Sequence, residues 1–130
     1  MGVAHAKLVL TNPRFPELEP VEAVALADSG AVQMCVPLHV ALQLKLEEYD
    51  QKEVTLADGT RRLVPYMGLI LTKLKNRTAL VGALVMGDEV LLGAIPMEDM
   101  DLVILPKHRR VDVNPENPNV ACSLAKGFRS

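Results

Sequence analysis

A single carboxylate is the most promising chemical group in this chain. The apolar residues 24–27 predict the end of a buried strand, and Asp28, Ser29 and Gly30 follow directly. A buried strand seldom ends in a bare carboxylate, because an unpaired charge is costly away from water. Gly30 permits a tight turn, and the Ser29 hydroxyl can hydrogen-bond the neighbouring backbone. The pattern predicts an acid fixed on an apolar wall, although an ordinary turn would explain the same three residues.

Short strands are predicted to position this acid. Residues 21–27 are apolar apart from Glu22, as expected for a central strand that is covered on both faces. Turn signals separate the further extended segments, which are residues 3–10, 32–36, 52–56, 62–74, 78–86, 89–92, 101–105 and, in the tail, 119–124. Frequent turns between short strands favour an all-β, barrel-like domain.

Helical pattern is confined to two short segments. Residues 37–46 begin with a proline, which suits a helix start, and they place Leu38, Ala41, Leu42 and Leu46 on one face. The acidic residues that follow, up to Asp50, are interpreted as the solvated end of this helix. Residues 96–100 predict a second helical turn.

A hairpin turn is predicted at residues 57–60. Asp58 and Gly59 stand between two extended runs, which is a strong signal for a hairpin. The segment repeats the Leu-Ala-Asp of residues 26–28 but has no hydroxyl residue between the acid and the glycine. We therefore interpret Asp58 as a turn acid, together with Asp88 and Asp101, rather than as a second catalytic group.

Composition excludes several classes of function. The 130 residues suit one domain, residues 1–130, and 49% hydrophobic residues suffice for one core. Aromatic residues make up only 3%, which argues against stacking on single-stranded nucleic acid. The net charge of −2, with only short basic clusters such as residues 107–110, gives no phosphate-binding footprint.

The same survey predicts no cofactor, metal site or membrane contact. No partner His or Cys stands at ligand spacing from His39, and the two cysteines are expected to be buried free thiols. Neither a leader segment nor a membrane-length apolar run is visible. We therefore expect a cytoplasmic protein.

Three segments together resemble the motifs of the retropepsin-like aspartic proteases, the single-domain relatives of retroviral proteases. Asp28-Ser29-Gly30-Ala31 is similar to the Asp-Thr/Ser-Gly-Ala loop of that family. Leu91-Leu92-Gly93 is similar to its hydrophobic-hydrophobic-glycine motif, and residues 54–60 fall where the family carries a flap hairpin. Order and spacing agree over roughly residues 21–105.

The resemblance implies an acid-protease-like closed β-barrel that forms one subunit of a two-fold homodimer. Such enzymes need two carboxylates that share one proton, and this chain has a single Asp-Ser-Gly. Asp28, Ser29 and Gly30 would be catalytic, with the Ser29 hydroxyl bonding the partner's loop. Residues 3–10 and 119–124 could supply the terminal strands that hold such dimers together.

The implied activity is hydrolysis of peptide bonds in a peptide or protein substrate, with no cofactor. Substrate-binding residues carried over from the family come from the loop, the flap and the segment after Gly93; they are Ala31, Val32, Leu56, Ala57, Asp58, Gly59 and Ile95. One alternative is a catalytically silent dimerisation or peptide-binding module, which the single motif and the unusual flap would suit. Another is an unrelated β-domain in which Asp28 is an ordinary turn residue.

Overall fold

Nine strands and two short helices make up residues 3–125, the part of the chain that the computed structural model describes. The outermost residues of the predicted domain, 1–2 and 126–130, lie outside it. In chain order the elements are β1 (Ala4–Thr11), β2 (Val21–Ala27), β3 (Met34–Val36), α1 (Leu38–Gln43), β4 (Glu47–Thr55), β5 (Arg61–Leu74), β6 (Arg77–Val85), β7 (Leu91–Leu92), α2 (Ala94–Asp99), β8 (Leu102–Leu105) and β9 (Arg110–Val113).

Six of the strands close into a barrel. Their order is β5-β6-β3-β7-β2-β1, and the ring closes because β1 pairs with β2 along one side and with β5 along the other. β4 extends outward from β5 as a hairpin, while β9 pairs with β1 and carries β8 at the edge of the sheet. The prediction of an all-β closed barrel is confirmed.

The barrel wall has one packed face and one outer face. β1 shows this alternation most clearly, since Ala4, Ala6, Leu8 and Leu10 are buried and the residues between them are more exposed. In β2 only Ala25 is buried, and Val24 is 63% exposed. The prediction that β2 is covered on both faces is therefore wrong: it is central, but only its inner face meets the core.

Helix α1 buries only part of the predicted apolar face: Ala41 and, beyond the helix, Leu46 are buried as predicted. Val40 and Ala41 are buried with Leu44, whereas Leu38 and Leu42 point their side chains to solvent. Both sets have helical spacing, so periodicity alone could not choose between them. The helix also ends earlier than predicted, and the acidic residues after Leu46 belong to strand β4 instead of a solvated helix end.

The termini differ from the expected interleaved strands. Residues 3–10 do form a strand, but both sides of β1 are paired within the chain. Residues 119–124 form no strand, and the tail's ordered strand is β9, which the sequence did not predict.

Both cysteines are free, as expected, but Cys122 is exposed and Cys35 is only half-buried. Burial raises the pKa of the Cys35 thiol.

Aliphatic side chains and methionine fill the barrel, as the poverty in aromatic residues requires. The largest fully buried side chains come from both sides of the barrel and from the segments that cap it; they are Leu8, Leu10, Met34, Val36, Leu44, Ile70, Thr72, Leu92, Pro96 and Met100. Within residues 3–125, no helix has the length and apolar character needed to cross a membrane.

Candidate active site

The short strand β7 sets the position of the Asp28 loop. β7 lies between β2 and β3; it runs parallel to β2, with Ala27 opposite Leu92, and antiparallel to β3. Parallel neighbours end at the same edge of a sheet. The residues that follow these two strands, Asp28 and Gly93, are therefore brought together although 65 positions separate them in the sequence.

Backbone hydrogen bonds clamp the Asp28 loop onto the segment after β7. The Asp28 N–H donates to the Leu92 carbonyl at 3.0 Å. Further along, the Ala94 N–H donates to the Ala31 carbonyl at 2.8 Å, and the Ile95 N–H donates to the Val32 carbonyl at 3.0 Å. Both ends of the loop are thus fixed by one short stretch of chain. This rigidity is what a catalytic carboxylate requires.

The Asp28 side chain is exposed, and one of its two carboxylate oxygens is hydrogen-bonded. Oδ1 accepts a hydrogen bond from the Gly30 N–H at 2.9 Å, and the backbone carbonyl of Asp28 accepts one from the Ala31 N–H at 3.1 Å. These contacts form the local turn that the sequence predicted. The other carboxylate oxygen accepts no hydrogen bond from the described residues, so it is free to bind water or a second acid. Ser29 beside it is also exposed.

Gly93 has a steric reason to be glycine. A Cβ atom added there would lie 2.2 Å from the carbonyl oxygen of Gln33 and 2.8 Å from that of Val32. Both are backbone atoms, which cannot rotate away. The close approach lets the loop before β3 pass directly over the end of β7. The apolar-apolar-glycine pattern therefore has a physical cause in this fold. Leu91 and Leu92 form a strand of the barrel, and Gly93 leaves room for the backbone that crosses it.

A groove of about 980 Å³ opens beside Ser29. Helix α2 and strand β8 line it together with the chain's tail, and its apolar surface includes Ile95 and Leu124. Two predicted site residues, Ser29 and Ile95, meet here, and Val32 is joined to Ile95 by the backbone hydrogen bond described above. Asp28, Gly30 and Ala31 lie in the same clamped loop.

The other predicted site residues form the turn of the β4–β5 hairpin. The Leu56 N–H donates to the Thr60 carbonyl at 2.8 Å, and Gly59 has a φ of 87°, which suits glycine. The Thr60 hydroxyl and the Thr60 N–H both donate hydrogen bonds to the Asp58 carboxylate. These bonds lower the pKa of Asp58, and the bond from the hydroxyl has the larger effect. Asp58 is therefore a turn acid, as predicted. Within residues 3–125, no hydrogen bond joins this turn, residues 56–60, to the Asp28 loop.

A polar cluster that the sequence did not reveal ties the tail to the groove. The Asp101 carboxylate accepts hydrogen bonds from Asn114 Nδ2 at 3.1 Å, Asn117 Nδ2 at 2.8 Å and the Cys122 N–H at 3.0 Å. The buried Arg77 guanidinium lies 3.9 Å from the same carboxylate and donates to the Asn117 carbonyl. These residues are far apart in sequence.

Acid is expected to loosen this cluster. Hydrogen bonds from Asn114, from the Cys122 backbone and from Asn117 hold the pKa of Asp101 below its ordinary value of 3.8. A lowered folded-state pKa means that the ionised form contributes stability above the unfolded-state pKa, and that this contribution is lost as pH falls through the folded-state value. The melting temperatures of the wild type and of Asp101→Asn should therefore differ above about pH 4 and converge toward about pH 2. A difference that is constant over this range would contradict the assignment.

The acidic and thiol side chains are otherwise dispersed. Among residues 3–125, no group of three or more His, Cys, Asp or Glu side chains could hold a metal ion. The candidate site is thus defined by one exposed carboxylate, that of Asp28, in a loop fixed by backbone hydrogen bonds.

Comparison with known proteins bears on the fold. No protein-family model matches this chain, and no curated protein sequence matches it. Among solved structures, it is similar to the retroviral protease-like domain of Ddi1 from Leishmania major, with a TM-score of 0.55 and 15% sequence identity. The match covers 87% of this chain and 90% of that one. The likeness establishes a retroviral protease-like fold, as the sequence motifs indicated.

Proposed function

We propose that this chain is an aspartic endopeptidase that works as a two-fold homodimer, with Asp28 of each copy supplying one carboxylate. The observation that carries the proposal is the clamped loop: a rigid, exposed Asp28 at the shared end of two parallel strands, in a retroviral protease-like fold.

The chemistry follows from two carboxylates that share one proton. The ionised carboxylate takes a proton from a bound water, whose oxygen attacks the carbonyl carbon of the peptide bond. The protonated carboxylate donates its proton to the carbonyl oxygen, which gives a neutral tetrahedral diol. Collapse of the diol breaks the C–N bond: the carboxyl that is now protonated gives its proton to the departing nitrogen, which becomes an amine, and one diol hydroxyl gives its proton to the other carboxylate as the product acid forms. The pair ends with one proton, as it began.

Two acids must lie close together for this chemistry to operate. Two carboxylates about 3 Å apart repel by roughly 5 kcal/mol at an effective dielectric constant near 20. That energy separates the two proton-loss steps of such a pair by roughly 4 pKa units, so one proton stays on the pair over a broad pH range. A two-fold axis beside Asp28 would bring it against its own copy, because an isologous interface apposes identical surfaces.

Strand β8 offers the edge along which a second copy could dock. Within residues 3–125 it is the last strand in the sheet order and pairs with β9 alone. It also lines the groove that contains Ser29, and its Ile104 is exposed. An unpaired edge strand with an apolar side chain is a template for pairing with another chain. We therefore place the dimer interface at β8 and α2, instead of at the predicted terminal segments, residues 3–10 and 119–124.

The β4–β5 hairpin would act as the flap. Its turn, residues 56–60, would close over an extended peptide and exclude water from the acids. The loop and α2 supply the apolar residues Ala31, Val32 and Ile95 as a wall for aliphatic substrate side chains. The two hydrogen bonds from Thr60 to Asp58 stiffen the tip of the hairpin. Closure would therefore be a movement of the whole hairpin rather than of its turn.

A catalytically silent peptide-binding module is the second candidate. It is favoured by the separation of the hairpin turn from the Asp28 loop, which share no hydrogen bond within the described chain. The experiment that decides is a digest of a diverse peptide library from about pH 2 to pH 7, which covers the acidic range in which the two acids of pepsin share one proton and extends to near-neutral pH. Cleavage that pepstatin blocks supports the endopeptidase. Binding of pepstatin with no cleavage at any pH supports the silent module.

A further inference from the structure

A second groove, of about 450 Å³, lies on the opposite side of β1 from the core. Strands β1 and β9 and the turn between β5 and β6 form its walls. Of the residues that the structure describes, four basic side chains line it, His5, Lys7, Lys75 and Arg110, together with one acid, Asp112. We call this the basic groove. It contains neither Asp28 nor any residue of the proposed flap.

The fold gathers these basic residues from distant parts of the sequence. His5 and Lys7 are two positions apart and therefore share the outer face of β1. Arg110 pairs with His5 across the parallel β1–β9 contact, and Lys75 lies in the turn after β5. A net charge of −2 and the lack of a long basic run could not reveal such a cluster. Arg110 ends the short basic cluster of residues 107–110 and is the first residue of β9.

The groove already stabilises one carboxylate. Lys75 Nζ lies 2.7 Å from Asp112 Oδ1, and Arg110 Nη2 lies 3.8 Å from Asp112 Oδ2. The hydrogen bond from Lys75 is the largest cause of the lowered pKa of Asp112, and the charges of Lys75 and Arg110 add to it. His5 and Lys7 form no ion pair with any described residue. The groove therefore has positive charge beyond what Asp112 balances.

The remaining wall of the groove is apolar. Val24 stands directly opposite Lys7 in the β1–β2 pairing and is 63% exposed, while Leu74 and Val111 form a buried floor. A ligand that fits would pair carboxylates with the basic side chains and cover Val24 with an aliphatic group. Nucleic acid fits less well, because the described part of the chain puts no aromatic side chain in the groove for stacking, and Asp112 would repel a dense row of phosphates.

We propose that the basic groove binds an acidic peptide segment that carries an aliphatic residue between its carboxylates. The carboxylates would pair with Lys7 and Arg110, and the aliphatic side chain would pack on Val24. Because the groove is separate from the Asp28 loop, this binding does not depend on proteolysis. It would serve to hold a protein partner, or a substrate by a region away from the cleaved bond.

Fluorescence anisotropy with the whole chain tests the proposal. The probe is a labelled octapeptide of alternating Glu and Leu, titrated at about 50 mM salt, where exposed charges are only partly screened. We expect saturable binding that weakens at higher salt. Lys7→Glu and Arg110→Glu should each raise the Kd at least about tenfold, which corresponds to about 1.4 kcal/mol. Lys45→Glu makes the same charge change outside the groove and should leave the Kd within about twofold.

Two milder variants separate a loss of binding from a loss of folding. Lys7→Gln and Arg110→Gln remove one charge each from exposed side chains and should weaken the probe by a smaller factor, with unchanged melting temperatures. Equal Kd values for the wild type and the Lys7 and Arg110 variants would overturn the proposal. It would also be overturned if an octapeptide of Lys and Leu bound equally well. Tighter binding of a single-stranded oligonucleotide or of vesicles with anionic lipid would likewise overturn it.

Discussion

Replacing Asp28 with asparagine should lower the rate of peptide cleavage at least about a thousandfold, since loss of a general acid–base group costs 10²–10⁴ and here both copies change together. Asparagine has nearly the same size as aspartate, and its Oδ1 can still accept the hydrogen bond from the Gly30 N–H. It can neither take a proton from water nor share one with its partner. The chemistry should therefore be lost while the turn keeps its shape.

The measurement is the peptide-library digest, with circular dichroism and solution mass recorded for the same samples. Asp88→Asn is the matched control, because Asp88 is an exposed acid outside the site and its variant should cleave like the wild type. Undiminished cleavage by Asp28→Asn would contradict the mechanism outright. An Asp28→Asn protein that cleaves nothing, folds normally and keeps the wild-type mass is the expected result.

Replacing Gly93 with alanine should destabilise the protein by about 3 kcal/mol or more, since overpacking against rigid neighbours falls in the severe class of substitutions. The added Cβ would lie 2.2 Å from the Gln33 carbonyl oxygen. Relief requires the two backbones to separate. That separation would strain the hydrogen bonds from Asp28 to Leu92 and from Ala94 to Ala31, which hold the Asp28 loop. Activity should therefore fall together with stability.

Urea unfolding provides the test, and Gly87→Ala provides the matched control. Gly87 has a φ of 75° and no atom within 4 Å of an added Cβ, so alanine there meets only the backbone strain of a left-handed residue. That strain costs about 1–2 kcal/mol. If Gly93→Ala proved as stable as Gly87→Ala or more so, the tight crossing of Gln33 over the end of β7 would be ruled out.

The features that the sequence predicted correctly are those with local causes. The end of β2 at Ala27 and the turn at Asp28 follow from an apolar run and from an acid next to a glycine. The hairpin at residues 57–60 follows from Asp58 and Gly59 in the same way. These signals act over a few residues, so they can be interpreted without the rest of the fold. The position of Gly93 beside Asp28 has no such local signal, because it depends on the pairing of β2 with β7.

The features that the sequence missed depend on contacts between distant segments. The buried face of α1 was assigned only in part, because more than one set of residues has helical spacing. Packing buries Val40 and leaves Leu38 and Leu42 exposed. Val24 was taken as covered because apolar character does not distinguish the two faces of a barrel wall. The Arg77–Asp101 cluster joins a strand to a turn and leaves no trace in local pattern.

Mixing wild-type chains with Asp28→Asn chains tests most directly whether one active site needs two copies of Asp28. At equal amounts, with free exchange of subunits in a two-fold dimer, about one quarter of the dimers would carry both acids. The total rate of cleavage should therefore fall to about one quarter of that of unmixed wild type at the same total concentration of chain. A fall to only about one half would mean that each chain acts alone, and the shared-acid mechanism would be wrong.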